Sequence, residues 1–148
     1  MGVFVAEIRP RWSDMDAFGH VNHANTVTLL EEARIDLLFV EASRHGAAGM
    51  AEGVVVARLV VDYHQPLLAN GTKVRVEMSV RDLRRVSFTL GYTVHSGLSH
   101  DDPVVATAET MLVPFDVQLG RPRRLSENER DFLAAWKDSS GGAGISGA

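Results

Sequence analysis

A long helical periodicity dominates the apolar pattern of this chain. From Asn22 or His23 to about His45, apolar residues recur at steps of three and four, and further apolar positions widen the same face. This spacing predicts an α-helix, and so broad an apolar face predicts a helix wrapped by a sheet. Gly46, directly after the cations of the last turn, is typical of a helix end. The apolar positions are Val27, Leu29, Leu30, Ala33, Leu37, Leu38, Phe39 and Val40.

Segments with the periodicity of β-strands flank this helix. Residues 3–12 alternate imperfectly between apolar and polar side chains and predict a first strand. Residues 54–63 are nearly all apolar, which predicts a strand buried on both faces. Residues 73–81 and 88–94 each alternate with period two and are separated by a short break, so we expect an antiparallel hairpin.

The last third of the chain predicts one more strand and a short helix. Residues 104–113 have strand character, and Pro114 is predicted to end this strand. Ser126 and Glu129 stand in the positions of a helix N-cap and its capping-box partner. We therefore predict a short helix that runs to about Lys137.

Together these elements predict an α+β fold, a five-stranded antiparallel sheet wrapped around one long central helix, with a short C-terminal helix. A single domain is expected over residues 1–137, and residues 138–148 are rich in Gly, Ser and Ala and are predicted to be disordered. Five strands leave two open edges, and the apolar helix has more surface than one sheet can cover. We therefore expect a homodimer or homotetramer formed by edge pairing.

Composition and charge narrow the functional class. The 148 residues are 45% hydrophobic and 23% charged, which is typical of a globular protein. A net charge of −4 argues against a nucleic-acid partner. No apolar run approaches the roughly 20 residues of a membrane span and no secretion signal is recognisable, so we expect no membrane partner and a cytoplasmic location. The absence of cysteine excludes disulfides, thiolate nucleophiles and thiolate zinc sites.

Two carboxylates, a glycine and two histidines directly precede the predicted central helix. They are Asp14, Asp16, Gly19, His20 and His23. The free N–H groups of a first helical turn can stabilise a developing oxyanion, and a nearby carboxylate can attack an acyl group or deprotonate water. The segment is therefore a candidate hydrolytic site. The alternative from the residues alone is that both aspartates are turn and cap residues.

The order of motifs in this region resembles the 4-hydroxybenzoyl-CoA thioesterase family of hotdog-fold proteins. That family opens with the pattern D-x-D-x-x-G-x-V, and a helix soon afterwards carries E-x-A-R. A further similarity is the segment Ser87-Phe88-Thr89-Leu90 at a strand start. The matching residues of the two motifs are Asp14, Asp16, Gly19 and Val21, followed by Glu31, Ala33 and Arg34.

The resemblance implies an acyl-CoA thioesterase without a cofactor, which releases a carboxylic acid and free coenzyme A. It makes Asp16 the catalytic carboxylate, acting as nucleophile or general base, and places the backbone N–H of His23 against the thioester carbonyl oxygen. Asp14 is expected to order the loop. A non-catalytic acyl-CoA or acyl-ligand binding module is the alternative from another class, and a hotdog hydratase resembles the chain less.

Other residues complete the predicted substrate site. Asn22 is also the simplest helix N-cap, Glu31 could either face the pocket or pair with Arg34, and two arginines of the hairpin could hold the phosphates of coenzyme A. The carrier of the acyl group, coenzyme A or acyl carrier protein, stays open. The predicted substrate-binding residues are Gly19, Asn22, Val27, Leu30, Glu31, Arg84 and Arg85.

Three further patterns carry no function in this interpretation. His20 and His23 are three residues apart, but a metal would need further ligands at suitable spacing, so no metal site is predicted. The G-x-G-x-x-G letters in residues 142–147 lack a preceding strand and a following helix. Residues 99–101 contain the letters of a catalytic triad, but consecutive residues cannot converge on one another.

Overall fold

An antiparallel sheet curls around one helix in the computed structural model, which describes residues 2–68 and 71–138. The five main strands follow the spatial order β1-β3-β4-β5-β2, and all neighbouring pairs are antiparallel. A sixth strand of two residues, absent from the sequence prediction, pairs with the end of β5. The strands are β1 (Phe4–Ile8), β2 (Val54–Tyr63), β3 (Val74–Leu83), β4 (Phe88–His95), β5 (Val104–Asp116) and β6 (Arg121–Pro122).

The central helix, α1, is continuous over residues 23–44. Its α-helical part His23–Ile35 leads into a π-helical segment, Asp36–Glu41, and a final α-helical turn, Ala42–Arg44. Gly46 follows with a φ of +78°, the left-handed conformation that a glycine adopts at low cost. The predicted bounds and stop signal of this helix are therefore confirmed.

The helix packs its apolar face onto the inner face of the sheet, closest to β1 and β3. Ala33 and Leu37 are fully buried against this sheet. Arg34 donates a hydrogen bond of 3.1 Å to the hydroxyl of Tyr92, which in turn lies 2.7 Å from the Thr110 hydroxyl. This polar chain crosses from α1 to β4 and β5, and it gives the arginine of the E-x-A-R motif a structural role. The fold class predicted from the sequence is confirmed.

Strand β2 has the predicted bounds, but the prediction that it is buried on both faces is wrong for a single chain. β2 is an edge strand whose neighbour is β5, and eight of its ten residues are exposed. No strand of the described residues lies beside its free edge, and apolar side chains such as Val56 and Leu59 are 47% and 39% exposed. The apolar composition therefore indicates a strand that needs a further covering surface.

Pro114 does not end the last strand, as the sequence predicted, but lies inside β5. Strand β4 begins at Phe88, which pairs with Leu112, so no β4 residue lies beside the proline nitrogen. The Pro114 carbonyl accepts the N–H of Arg123 on that same side, next to β6. The missing N–H of proline is tolerated here because the neighbouring strand has already ended.

The C-terminal helix, α2, spans Glu127–Ala135 and has the predicted capping box. The Ser126 hydroxyl accepts the N–H of Glu129, and the Glu129 carboxylate accepts the N–H of Ser126. None of the described helices is both long and apolar enough to cross a bilayer. The predicted disordered tail lies, apart from Asp138, outside the described residues, and so does the rejected glycine motif at 142–147.

Candidate active site

The loop between β1 and α1 forms a tight turn at Gly19. Asp16 donates its N–H to the carbonyl of His20 at 2.8 Å, and Gly19 donates its N–H to the carbonyl of Asp16 at 3.2 Å. Gly19 has a φ of +80°, which favours glycine over any residue with a Cβ. The loop is then attached to the segment after β2, because Val21 donates its N–H to the carbonyl of Leu67 at 2.7 Å.

This turn fixes one oxygen of the Asp16 carboxylate. Oδ1 accepts the N–H of Phe18 at 2.9 Å and the N–H of His20 at 3.3 Å. The side chain therefore has the turn role that was the structural alternative. Oδ2 accepts no hydrogen bond from any described residue, and the half-buried side chain lines a cavity. One carboxylate thus combines a fixed orientation with a free oxygen.

The helix start faces the same cavity. Asn22 is the N-cap, as predicted, and its side-chain oxygen accepts the N–H of Ala24 at 2.9 Å. Within the described part of the chain, the backbone N–H of His23 donates no hydrogen bond. It belongs to the first helical turn, whose N–H groups have no partner inside the helix. This N–H is therefore available to an oxygen atom of a ligand, and the helix dipole favours negative charge there.

Tyr63, the last residue of β2, closes the helix start from the other side. Its hydroxyl donates a hydrogen bond of 2.5 Å to the carbonyl of His23, and the two rings meet edge to face with centroids 6.2 Å apart. Burial raises the pKa of Tyr63 above its ordinary value, so the hydroxyl remains a donor. The contact connects the first turn of α1 to the end of β2.

The cavity has a volume of about 320 Å³ and is lined by both polar and apolar side chains. Asp16 and His23 lie on its polar side together with His20 and His64. Leu67, Val105 and Ala106, all buried, form an apolar wall. A carboxylate, a free helix-end N–H and an apolar wall in one cavity are what the hydrolysis of an acyl group requires.

Asp14 lies beside this cavity but does not line it. Its side chain is almost fully buried and accepts the N–H of Arg11 at 2.7 Å. Its carbonyl accepts the N–H of Asn22 at 2.9 Å and the side-chain amide of Asn25 at 3.0 Å. Asp14 therefore holds the loop against the helix start, the role expected for it from the sequence.

The helix residues predicted to bind substrate lie apart from Asp16. Leu30 is 1% exposed and belongs to the hydrophobic core, so it does not line the cavity. Val27 is half-buried on the same helix. Glu31 is exposed, lies 3.9 Å from Arg34, and lines a second cavity of about 360 Å³ between α1 and the Val54 end of β2.

Arg84 and Arg85 lie at the opposite end of the sheet from Asp16 within one chain. Both belong to the turn between β3 and β4, beyond Leu83, whereas β1 leads into the Asp16 loop beside Val74, at the other end of β3. Arg84 pairs with Asp82 at 2.8 Å, and Arg85 lines a surface pocket together with Arg124 and Arg130. One chain therefore does not bring these arginines to its own cavity.

Sequence reasoning missed the side chains that the end of β2 and the residues directly after it supply to the cavity. Tyr63, His64 and Gln65 all line it, and His64 lies 3.1 Å from the Thr107 hydroxyl. The signal was a cluster of polar residues directly after an apolar strand. It could be assigned to the site only once the pairing of β2 with β5 was known.

Comparisons with known proteins identify thioesterases as similar to this chain. The sequence model of the thioesterase-like superfamily matches residues 10–136. Solved structures with the same fold include a thioesterase from Thermus thermophilus in complex with coenzyme A and Zn, which is 30% identical over 90% of this chain and 93% of its own, with a TM-score of 0.71. A search of curated proteins found no significant match.

Two further structures are similar in fold. A predicted thioesterase from Bacillus stearothermophilus is 24% identical over 91% of this chain and 96% of its own, with a TM-score of 0.76. The DHNA-CoA thioesterase of Staphylococcus aureus is also 24% identical, over 92% of this chain and 89% of its own, with a TM-score of 0.73.

Proposed function

Because the chain belongs to the thioesterase-like superfamily of hotdog-fold thioester hydrolases, we propose that it hydrolyses an acyl-CoA to a carboxylic acid and free coenzyme A. The observation that carries this proposal is the shared cavity of the Asp16 carboxylate and the unpaired N–H of His23. Coenzyme A is favoured as the carrier because the related Thermus thioesterase is in complex with it. A cytoplasmic location remains a prediction from the sequence.

The proposed chemistry uses the helix end to bind the thioester oxygen. The carbonyl oxygen accepts the His23 N–H, and the negative charge that develops on this oxygen is stabilised by that bond and by the helix dipole. The free Oδ2 of Asp16 then either attacks the carbonyl carbon or removes a proton from an attacking water. The carbon–sulfur bond breaks, and the coenzyme A thiolate leaves and takes up a proton.

Asp16 fits this role because its geometry is fixed without using both oxygens. The N–H groups of Phe18 and His20 hold Oδ1, so rotation of the carboxylate is restricted while Oδ2 keeps no partner among the described residues. A preorganised group needs no rearrangement when charge develops, which is the main source of electrostatic catalysis.

The first experiment measures free-thiol release from a panel of acyl-CoAs. We expect Asp16→Asn to lower kcat by about 10²–10⁴, the usual contribution of a general base, while Oδ1 of the amide still accepts the turn N–H groups. Asp131→Asn, an exposed aspartate of α2, is the matched control and should turn over like the wild type.

Three outcomes would contradict parts of the proposal. Equal activity of Asp16→Asn and wild type would show that Asp16 is neither the nucleophile nor the general base. Saturable acyl-CoA binding without thiol release by the wild type would indicate the non-catalytic binding module. Thiol release from an acylated acyl carrier protein, but from no acyl-CoA, would identify acyl carrier protein as the carrier instead of coenzyme A.

The two routes for Asp16 differ in the fate of the water oxygen. In the anhydride route, water that attacks the Asp16 carbonyl leaves its oxygen in the Asp16 carboxylate. In the general-base route, that oxygen enters the carboxylic acid product. A single turnover in ¹⁸O water, followed by mass spectrometry of the peptide that contains Asp16, therefore identifies the anhydride route when the label is found there.

The proposed working unit is a homodimer or a homotetramer. The exposed apolar edge of β2 supports edge pairing between two copies. Antiparallel pairing of two β2 strands would bring the Val54 end of one copy beside the Tyr63 end of the other. The hairpin with Arg84 and Arg85 would then approach the cavity of the second copy, where guanidinium groups could bind the phosphates of coenzyme A.

A further inference from the structure

A second cluster of titratable side chains lies on the outer face of the sheet. In β3, Val74, Val76 and Met78 face the buried core, so the alternating Glu77 faces outwards. His95, the last residue of β4, and His100, in the connection to β5, meet it there. The candidate ligand atoms of the three side chains all lie within 4.8 Å of one another. None of the three lines the cavity of Asp16.

His95 has a buried nitrogen without a hydrogen-bond partner. The residue is 2% exposed, and its Nδ1 lies 2.8 Å from the carbonyl of Asp102. A carbonyl can only accept, so Nδ1 carries a hydrogen, and Nε2 is the ring nitrogen left to bind a ligand. Nε2 makes no hydrogen bond, although it is buried and only 3.4 Å from Oε2 of Glu77.

A buried imidazole nitrogen without a hydrogen-bond partner, beside a carboxylate oxygen, is unfavourable unless a proton or a metal ion lies between the two atoms. The hydrogen bond from Nδ1 of His95 to a backbone carbonyl is also the arrangement that usually orients a metal-binding histidine. We propose that Glu77, His95 and His100 bind a zinc ion through Oε2, Nε2 and Nδ1, respectively. The inference is independent of the proposed thioesterase mechanism.

One of the three ligand separations already suits a tetrahedral site, and a second can reach it through movement of an exposed side chain. Zinc binds imidazole nitrogen and carboxylate oxygen at roughly 2.0–2.2 Å, so two ligand atoms lie about 3.4 Å apart. His95 and Glu77 already have this separation. His100 Nδ1 lies 2.5 Å from the Glu77 oxygen and must move away by roughly 1 Å on this geometry. It can do so because its side chain is 71% exposed on a loop. The fourth position is left to water.

Arg75 competes with the metal for Glu77. Its Nε lies 2.7 Å from the same Oε2. Burial by itself raises the pKa of Glu77, but the hydrogen bonds from His100 and Arg75 outweigh it and leave this pKa below its ordinary value. The carboxylate is therefore ionised at neutral pH, and zinc must displace the guanidinium. Replacement of Arg75 by a neutral residue is therefore expected to strengthen zinc binding.

The test is calorimetric titration of the EDTA-treated, tag-free full-length chain with zinc chloride. We expect one zinc ion per chain. Glu77→Gln and His100→Ala should each weaken binding by more than about tenfold, because loss of even a hydrogen-bond partner of a ligand typically costs that much. Arg75→Gln should tighten it. The matched control is His45→Ala, since His45 also pairs with a glutamate, Glu41, at 3.1 Å on the surface but without a third ligand. Its affinity should equal that of the wild type.

The melting temperature with and without zinc tests whether the ion binds at this cluster. Zinc should raise the melting temperature of the wild type and of His45→Ala but not that of His100→Ala, because the ion would connect β3 to the β4–β5 loop. The proposal is overturned if the wild type binds no zinc, or if His100→Ala binds it as well as the wild type. It is also overturned if binding is lost in His20→Ala instead, which would place the ion in the cavity of Asp16.

Discussion

At the scale of single residues, the proposed mechanism gives the two oxygens of the Asp16 carboxylate separate tasks. Oδ1 closes the turn by accepting two N–H groups, and Oδ2 is left for chemistry. The same division holds at His23, whose carbonyl is bound by Tyr63 while its N–H has no partner among the described residues. In each residue, one polar group is held by the structure, and the other is the group that the proposed mechanism uses. This division allows the structural and chemical roles to be tested separately.

His23→Pro tests the role of the backbone N–H directly. Proline is well accepted at the first position of a helix, so the substitution removes one donor while the helix start remains. The preceding Asn22 has φ −58° and ψ 140°, a conformation that a following proline permits. We expect kcat for acyl-CoA hydrolysis to fall by about 10²–10³, the usual cost of one oxyanion donor.

His23→Ala is the matched variant, because it removes the imidazole and keeps the N–H. The rate difference between the two variants isolates the backbone contribution. Equal rates, with circular dichroism spectra that match the wild type, would contradict an oxyanion role for this N–H.

At the scale of elements, an ion pair of a buried glutamate helps to attach α2 to the rest of the chain. Glu129 is 2% exposed, and each of its oxygens lies 2.9 Å from a guanidinium nitrogen of Arg123. Arg123 also donates a hydrogen bond of 3.1 Å to the carbonyl of Gly49, in the short 3₁₀ segment before β2. Glu129, a member of the capping box that the sequence predicted, therefore also connects α2, through Arg123, to the segment before β2.

Glu129→Gln should destabilise the chain at neutral pH. Loss of the charge weakens two hydrogen bonds to a charged group, which typically contribute about 1.5–3 kcal/mol each to stability. We expect a loss of at least this size in the free energy of unfolding, measured by urea denaturation. Glu127→Gln, an exposed neighbour in the same helical turn, should change it by less than about 0.5 kcal/mol.

The same pair predicts a pH dependence. Burial raises the pKa of Glu129, but the bonds from Arg123 and Ser126 outweigh it, so this pKa lies below its ordinary value. A carboxyl with a lowered native pKa stabilises the fold above its unfolded pKa of about 4.3 and loses this contribution as the pH falls through the native value. Wild type should therefore lose stability below about pH 4.3 more steeply than Glu129→Gln. Parallel profiles would contradict the assignment.

Elements with a local signal were predicted well, and those that depend on distant neighbours were not. The bounds of α1 follow from its apolar period and from Gly46, and α2 follows from Ser126 and Glu129, which are three residues apart. The end of β5 was misplaced because the effect of Pro114 depends on whether β4 still runs beside it. Tyr63 could not be assigned to the site because its partner, His23, is 40 residues away in sequence.

At the scale of the whole molecule, the edge strand β2 is the feature that one chain leaves incomplete. Val55, Val56, Leu59, Val60 and Tyr63 are between 37% and 47% exposed on this strand. A long apolar strand at a free edge pairs readily with a second strand. The proposed dimer would cover this surface and join the cavity of one copy to the arginine hairpin of the other.

Val60→Lys tests this assembly. Val60 lies near the middle of β2 and pairs with Glu109 of β5, so a lysine is tolerated within one chain. In a symmetric antiparallel pairing the two lysines would lie close together and repel each other. We expect light scattering after gel filtration to give a dimer or tetramer for the wild type and a smaller species for Val60→Lys.

Val117→Lys is the control, because Val117 is exposed outside β2 and should leave the assembly unchanged. A monomeric wild type would contradict the proposed dimer, and so would a Val60→Lys variant with the mass of the wild type. If only the variant is monomeric and it also loses thioesterase activity, the arginine hairpin of a second copy becomes the next residue set to change.

The sequence by itself determined the helix, the alternating hairpin, the caps and the loop that carries Asp16. Each of these depends on residues within a few positions of one another, where period and capping chemistry act directly. Only the tertiary structure decided which residues share the cavity, that Leu30 belongs to the core, and that Arg84 lies at the far end of the sheet. Strand order and register set these relations, and they arise from packing between segments distant in sequence.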